Sequence, residues 1–149
     1  MTLAISCDVI LAGESATFGY PEIDLGLIPA IHFAHLPRVI GRTRAFELLF
    51  SGRTFSSEEA ERIGLVARRV SDDDLLAEAE KMAALFAGKS SHAMRLGRAA
   101  MVRASDHGYR DDVAQAVKDF CLAAASGSAQ EGLRAFLEKR EPDWEKWQK

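Results

Sequence analysis

The chain has 149 residues, of which 48% are hydrophobic and 28% are charged, and its formal net charge is -3. This balance is typical of one globular domain and argues against a disordered chain. The 19 basic and 22 acidic residues are mixed along the sequence, so it shows neither the basic stripe of a nucleic-acid-binding protein nor an apolar run long enough to cross a membrane.

The amino-terminal residues and the two cysteines bear on location. Residues 1–11 lack the basic lead of a signal peptide, and Asp8 interrupts their short apolar run. Cys7 and Cys121 match neither a disulfide framework nor a zinc spacing, and their apolar neighbours predict buried free thiols. These features favour a cytoplasmic protein.

The first forty residues predict short strands followed by irregular chain. Residues 8–12 are apolar and partly β-branched, as in a buried strand, and residues 17–19 predict a second short strand. Gly26, Pro29 and Pro37 then interrupt the chain too often for a long helix.

From Arg42 onwards the apolar spacing predicts about six helices. Ser56 is followed three residues later by Glu59, as in a capping box at a helix start. Ser71 is followed by three aspartates, which suit the positive end of another helix. Further helices are predicted over residues 91–103, after the break at 106–108, and over 129–139.

The predicted fold class is therefore α/β but mostly helical, with one or two short strands followed by about six helices. A single strand cannot satisfy its own backbone groups, and an isolated strand pair is marginal. We therefore expect the sheet to be completed by further sequence or by a partner chain.

Four stretches occur in the order and at the spacing of a known family. They are Leu3–Asp8; Ala16–Pro29; Leu36–Gly41 with Leu48–Arg53 and Glu59–Val66; and Glu131–Arg140. Together they resemble the C-terminal half of the crotonase (enoyl-CoA hydratase/isomerase) superfamily over essentially the whole chain. The resemblance implies that residues 1–41 end the core of a ββα-type fold, with the Phe-Gly-Tyr-Pro-Glu signature, and that residues 42–149 form a helical trimerisation region.

The resemblance also implies acyl-CoA chemistry through a thioester enolate. Two backbone N–H groups would stabilise the enolate oxygen, and one such donor is typically worth about 3 kcal/mol. Both donors are implied to lie before Met1, so we expect these residues alone to lack a complete active site. No metal and no permanently bound cofactor are implied, because coenzyme A enters as part of the acyl-CoA or enoyl-CoA substrate. A homotrimer or a dimer of trimers is implied, with neither nucleic acid nor membrane as a partner.

Two residues match the family's acid–base positions. Glu22 matches the carboxylate that moves protons in many members, although a solvated turn glutamate is the alternative interpretation. Thr2 aligns with the second glutamate of the hydratases. A threonine hydroxyl can hold water but cannot take a proton near neutral pH, so this departure argues against straightforward hydration and favours isomerisation or other single-carboxylate chemistry.

The substrate-binding residues implied by the resemblance fall into two groups. The first would line or narrow the acyl pocket and comprises Tyr20, Ile28, Pro29, Ala30 and His32. The second, Phe136 and Lys139, matches positions that hold coenzyme A through an aromatic wall and a positive charge. A core phenylalanine and a solvated lysine are the alternative for this pair.

Other histidines leave one more possibility open. His32 and His35 have a spacing that could suit a metal pair, but no third ligand is evident, and pocket lining is the preferred interpretation. His92 and His107 are predicted to lie at the surface.

Two functions follow from these observations. The first is an acyl-CoA enzyme whose sequence continues before Met1. The second is a non-catalytic oligomerisation module, or a subunit that assembles with a full-length crotonase-type chain.

Overall fold

The computed structural model describes residues 1–147, which form short strands packed among helices. The helices are α1 (Thr2–Ile5), α2 (Ala30–Ile40), α3 (Arg42–Ser51), α4 (Ser57–Arg62), α5 (Leu75–Ala87), α6 (Ser91–Ser105), α7 (Tyr109–Ala124) and α8 (Gly127–Glu138). The strands are β1 (Leu11–Gly13), β2 (Thr17–Phe18), β3 (Phe55–Ser56) and β4 (Arg68–Val70). Two 3-10 helices complete the described chain, the first over Pro21–Leu25 and the second over Glu145–Trp147.

The strands form two separate pairs. β1 pairs in parallel with β4, with Leu11 opposite Arg68. β2 pairs antiparallel with β3, with Phe18 opposite Phe55, and these two rings stack with their centroids 5.6 Å apart. Each early strand thus finds one partner within the chain, which the sequence did not predict, because each pair joins segments that lie far apart in the sequence.

The segment after the first 3-10 helix corrects one prediction. Residues 30–40 were expected to be irregular, but they form the eleven-residue helix α2 with Pro37 inside it. Proline removes one backbone donor from a helix. The helix nevertheless forms because Leu36 and Ile40 lie in the core, where they are 0% and 7% exposed, and tertiary packing outweighs local propensity.

The later helices largely confirm the sequence predictions. Ser56 accepts a hydrogen bond from the Glu59 backbone at 3.2 Å, as the capping box requires. Ser71 instead forms a turn with Asp74, so α5 begins at Leu75, four residues later than its predicted cap.

A buried core joins β1, β2 and β3 to α1–α4. Its members are Ile5, Ala12, Tyr20, Leu36, Ile40, Ala45, Leu48, Leu49, Phe55, Ala60, Ile63, Leu65 and Val66. Helix α7 packs along α2, and α8 packs on both α7 and the first 3-10 helix. The mostly helical fold class is confirmed, whereas the division between residues 1–41 and 42–149 stays a prediction.

Two features differ from an ordinary globular surface. Helices α5 and α6 contain no buried residue, and their exposed apolar side chains include Leu76 and Met101. Cys7 and Cys121 are also exposed, so the prediction of buried thiols is wrong. Cys7 follows the end of the short helix α1, and Cys121 lies on an outward position of α7.

Candidate active site

Tyr20 and His32 form the buried centre of the candidate site. Tyr20 is 0% exposed and His32 is 4% exposed. Their rings meet edge to face, with centroids 4.7 Å apart. The Tyr20 hydroxyl and His32 Nδ1 are buried and have no hydrogen-bond partner among the described residues. Buried polar atoms are usually paired, so unpaired ones call for a functional explanation.

Glu22 lies beside this pair on the first 3-10 helix. Pro21 occupies the first position of that helix, which suits its fixed φ and missing donor. Gly26 ends the helix with a left-handed φ of 67°. Glu22 is half-buried, and its Oε2 atom is buried without a partner among the described residues. A fully solvated turn glutamate is therefore not what the structure contains.

Thr2 joins the site from α1. Its Oγ1 lies 3.3 Å from His32 Nε2, within hydrogen-bonding distance. His32 belongs to the first turn of α2. Three short helical segments thus bring Thr2, Glu22 and His32 around Tyr20, although these residues are spread over about thirty positions of the sequence.

Burial sets the protonation of the two central rings. It lowers the pKa of His32 to about 4, with a smaller contribution from His35. His32 is therefore neutral near pH 7. Burial also raises the pKa of Tyr20, and the nearby Glu22 carboxylate adds to that rise. Tyr20 therefore keeps its proton and is a hydrogen-bond donor.

The remaining predicted acyl-pocket residues lie between Glu22 and His32. Pro29 is buried, and Ile28 and Ala30 are half-buried at the start of α2. Their location next to the buried cluster is compatible with a pocket wall, and their contact with a substrate stays a prediction.

The predicted coenzyme A residues lie at the surface of α8. Phe136 is 67% exposed, so the alternative of a core phenylalanine is wrong. Lys139 is exposed and caps the end of α8 with a left-handed φ of 52°. The opposite side of α8 packs on the first 3-10 helix through Gly132, which connects this surface to the Glu22 region.

The other histidines have separate surroundings. His35 Nδ1 lies 3.2 Å from the Tyr109 hydroxyl, whereas His32 points to Thr2. His92 and His107 are exposed, as predicted. Within residues 1–147, no group of three or more His, Cys, Asp or Glu side chains is placed to hold a metal ion.

Sequence reasoning missed a groove between α2 and α7. Its volume is about 530 Å³, and its walls include Phe33, Arg38 and Asp112. Arg38 Nη2 donates to Asp112 at 2.9 Å, and its guanidinium lies 5.1 Å from the centre of the Tyr109 ring. These residues are far apart in sequence, so no local pattern could have indicated the groove.

The described helices also bear on membrane insertion. Among residues 1–147, no helix is both long enough and apolar enough to cross a membrane.

A comparison with known families identifies the chain. Residues 1–148 match the enoyl-CoA hydratase/isomerase family. The chain belongs to this family. The resemblance seen in the four sequence stretches is thereby confirmed.

Several members of the enoyl-CoA hydratase/isomerase family are similar over nearly the whole chain. The protein named "Probable enoyl-CoA hydratase echA8" of Mycobacterium bovis is 40% identical over 143 residues, which cover 95% of this chain and 56% of that protein. The crotonyl-CoA hydratase of Syntrophomonas wolfei is 36% identical over 147 residues, which cover 95% of this chain and 55% of that protein. The chain thus spans just over half the length of these curated relatives.

Solved structures of the family show the same fold. An enoyl-CoA hydratase/isomerase from Pseudoalteromonas atlantica matches with a TM-score of 0.89 and 29% identity, over 95% of this chain and 58% of that one. A carnitinyl-CoA hydratase from Mycobacterium avium matches with a TM-score of 0.88 and 28% identity, over 97% of this chain and 57% of that one.

Proposed function

We propose that this protein is an acyl-CoA-processing enzyme in which Glu22 transfers protons at the carbons next to a thioester. The observation that carries the proposal is the buried Oε2 atom of Glu22, which lies beside Tyr20 and has no hydrogen-bond partner within residues 1–147. A carboxylate held away from competing hydrogen bonds is free to take a proton from a substrate carbon and return it. Membership of the family supplies the thioester substrate class.

We also propose that catalysis needs groups beyond these 149 residues. Removing a proton next to a thioester places negative charge on its oxygen, which requires hydrogen-bond donors aimed at that atom. The family resemblance implies that those donors are backbone amides preceding the region described here. This proposal is supported by the length of the relatives, because the chain covers only 56% of the Mycobacterium bovis protein.

The surface of α8 supports a proposal for coenzyme A binding and assembly. Leu133, Phe136 and Leu137 are 42%, 67% and 80% exposed on one helix, and Lys139 follows them. We propose that Phe136 and Lys139 hold coenzyme A as part of the substrate, in a homotrimer or a dimer of trimers. A cytoplasmic location and the lack of a permanently bound cofactor remain predictions.

A second function is favoured by one observation. Helices α5 and α6 bury none of their residues in this chain. Their exposed apolar side chains would suit a non-catalytic module, or a subunit that assembles with a full-length crotonase-type chain.

Glu22→Gln, made in the natural full-length protein, tests the catalytic proposal. The assay is exchange of the α-protons of butyryl-CoA with D2O, followed by NMR, because this reaction needs only proton transfer. We expect a loss of about 10²–10⁴-fold, the usual contribution of a general base, with acyl-CoA binding retained. Glu58→Gln, at an exposed site on α4, is the control. Unchanged exchange in Glu22→Gln would remove this residue from the mechanism.

The same preparation distinguishes the second function. A wild-type protein that catalyses no exchange and co-purifies with a longer crotonase-type chain would support the module, whereas exchange by the purified protein alone would exclude it.

A further inference from the structure

We infer that His32, held by Thr2 and Tyr20, binds the water molecule that adds to the β-carbon of an enoyl-CoA. In this role it would replace the second glutamate of the family's hydratases, which is absent here. The inference rests on the proposed function, because Glu22 supplies the proton transfer.

The spatial argument concerns Thr2 and His32. The family resemblance aligns Thr2 with the second glutamate of the hydratases, and His32 Nε2 lies 3.3 Å from the Thr2 hydroxyl. A glutamate side chain is longer than a threonine side chain by two atoms. The imidazole therefore fills the space into which a carboxylate from position 2 would extend. The short side chain of Thr2 leaves room for the His32 ring, so the two side chains fit together in this space.

The hydrogen-bonding capacity of His32 points to a small polar ligand. Nε2 is used by Thr2, and the Tyr20 ring covers part of the imidazole. His32 Nδ1 and the Tyr20 hydroxyl are both buried, and neither has a partner among the described residues. Leaving such an atom unpaired is energetically unfavourable. A water molecule can accept a hydrogen bond from Tyr20 and donate one to Nδ1.

The charge state of His32 suits this role. Burial lowers its pKa to about 4, so the ring is neutral near pH 7. The neutral ring donates from one nitrogen and accepts at the other. In the tautomer whose Nε2–H donates to Thr2 Oγ1, Nδ1 is the acceptor for water. The other groups facing the ring are Tyr20, which stays protonated, and His35.

The resulting hydration step balances. Glu22 takes one proton from the water as the water oxygen bonds to the β-carbon, and the electron pair of the double bond moves to form the thioester enolate. The protonated Glu22 then returns that proton to the α-carbon. His32 accepts a hydrogen bond from the second water proton, which stays on the new hydroxyl group. One water is added, and both side chains finish in their starting states.

His32→Phe separates this role from that of Glu22. The variant keeps an aromatic ring against Tyr20 but removes both nitrogens. Two rates are measured in the protein as the cell makes it: hydration of crotonyl-CoA, and α-proton exchange of butyryl-CoA in D2O. We expect hydration to fall by about 10²-fold or more, as when one transition-state hydrogen bond is removed, while exchange stays near the wild-type rate. His35→Phe on the same helix should leave both rates near wild type.

A double variant supplies the rescue. Thr2→Glu with His32→Gly restores a carboxylate and removes the ring that fills its space, so we expect hydration to recover well above the His32→Phe rate. Thr2→Glu alone should not improve hydration, because the imidazole still occupies the site. If His32→Phe does not fold, His32→Asn and His32→Ala are compared instead. Asparagine keeps an acceptor near the position of Nδ1, so His32→Asn should retain a higher hydration rate than His32→Ala.

The outcomes are distinguishable. Wild-type hydration in His32→Phe, an equal loss of hydration and exchange, or a wild type that exchanges but does not hydrate would each overturn the inference and leave the Glu22 proposal standing. Absence of exchange in the wild type would instead refute the Glu22 proposal.

Discussion

Gly132 of α8 lies directly against the carbonyl oxygen of Leu25, with no room for a side chain between them. Leu25 is the last residue of the first 3-10 helix, which carries Glu22. Gly26 makes a second close approach, since a Cβ atom there would lie 3.0 Å from the Ser128 backbone. The placement of Glu22 thus depends on how closely α8 packs on this short helix.

Gly132→Ala is expected to destabilise the protein and weaken proton exchange together. The added methyl group would meet the backbone of Leu25, which cannot rotate away as a side chain would, so α8 must shift. Overpacking of this kind costs roughly 1–3 kcal/mol. Urea unfolding and the butyryl-CoA exchange assay measure the two effects. Gly97→Ala on α6 is the matched control, because nothing lies within 4 Å of its added Cβ, and it should raise stability by up to about 1 kcal/mol.

Ser126→Ala is expected to lower the free energy of unfolding by about 1 kcal/mol. The Ser126 hydroxyl accepts from the Ala129 backbone at 3.1 Å and donates to the Ala123 carbonyl at 2.6 Å, which fixes the start of α8. Ser105→Ala is the comparison, because that exposed hydroxyl donates to the Met101 carbonyl within its own helix α6. Equal stability of the two variants in urea would show that the cap contributes nothing.

His32 should make stability fall as the pH is lowered. Its pKa is about 4 in the folded protein, below the ordinary value of 6.5. Between these values the unfolded state binds more protons, so the free energy of unfolding decreases as the pH falls from 6.5 towards 4. The contribution is at most about 3 kcal/mol. Burial also lowers the pKa of His35, which adds a loss of the same sign.

The measurement is urea unfolding of wild type and His32→Phe at several pH values across this window. The free energy of unfolding of His32→Phe should depend less on pH than that of wild type. The pH dependence that comes from His35 should remain in the variant. His92→Gln, at an exposed site, is the control for replacing a surface histidine. A parallel profile for wild type and His32→Phe would contradict a neutral, buried imidazole.

Tyr20→Phe is expected to lower activity without lowering stability. The Tyr20 hydroxyl is buried without a partner among the described residues, and removing such a group can relieve a desolvation cost of roughly 1–3 kcal/mol. We therefore expect thermal stability to be equal or higher while turnover of crotonyl-CoA falls. A variant that is strongly destabilised would show that the hydroxyl has a structural partner.

The sequence predicted most helices but not the geometry that surrounds Glu22. Periodic apolar residues and caps such as Ser56 are local signals, so α3 and α4 could be anticipated. Helix α2 could not, because Pro37 argues against it locally and the burial of Leu36 depends on the whole core. The pairing of Thr2 with His32 was also invisible, since it depends on two segments whose approach is fixed by tertiary packing.

The parallel pairing of β1 with β4 has a consequence for the order of folding. Leu11 and Arg68 are separated by three α-helices, the first 3-10 helix and the two strands β2 and β3, so the chain must close a long loop before β1 and β4 form hydrogen bonds with each other. Helices α2 and α3 are adjacent in sequence and pack on each other, and local contacts of this kind form early. During synthesis, the hydrogen bonds between β1 and β4 therefore form only after β4 has emerged, later than the contacts between α2 and α3.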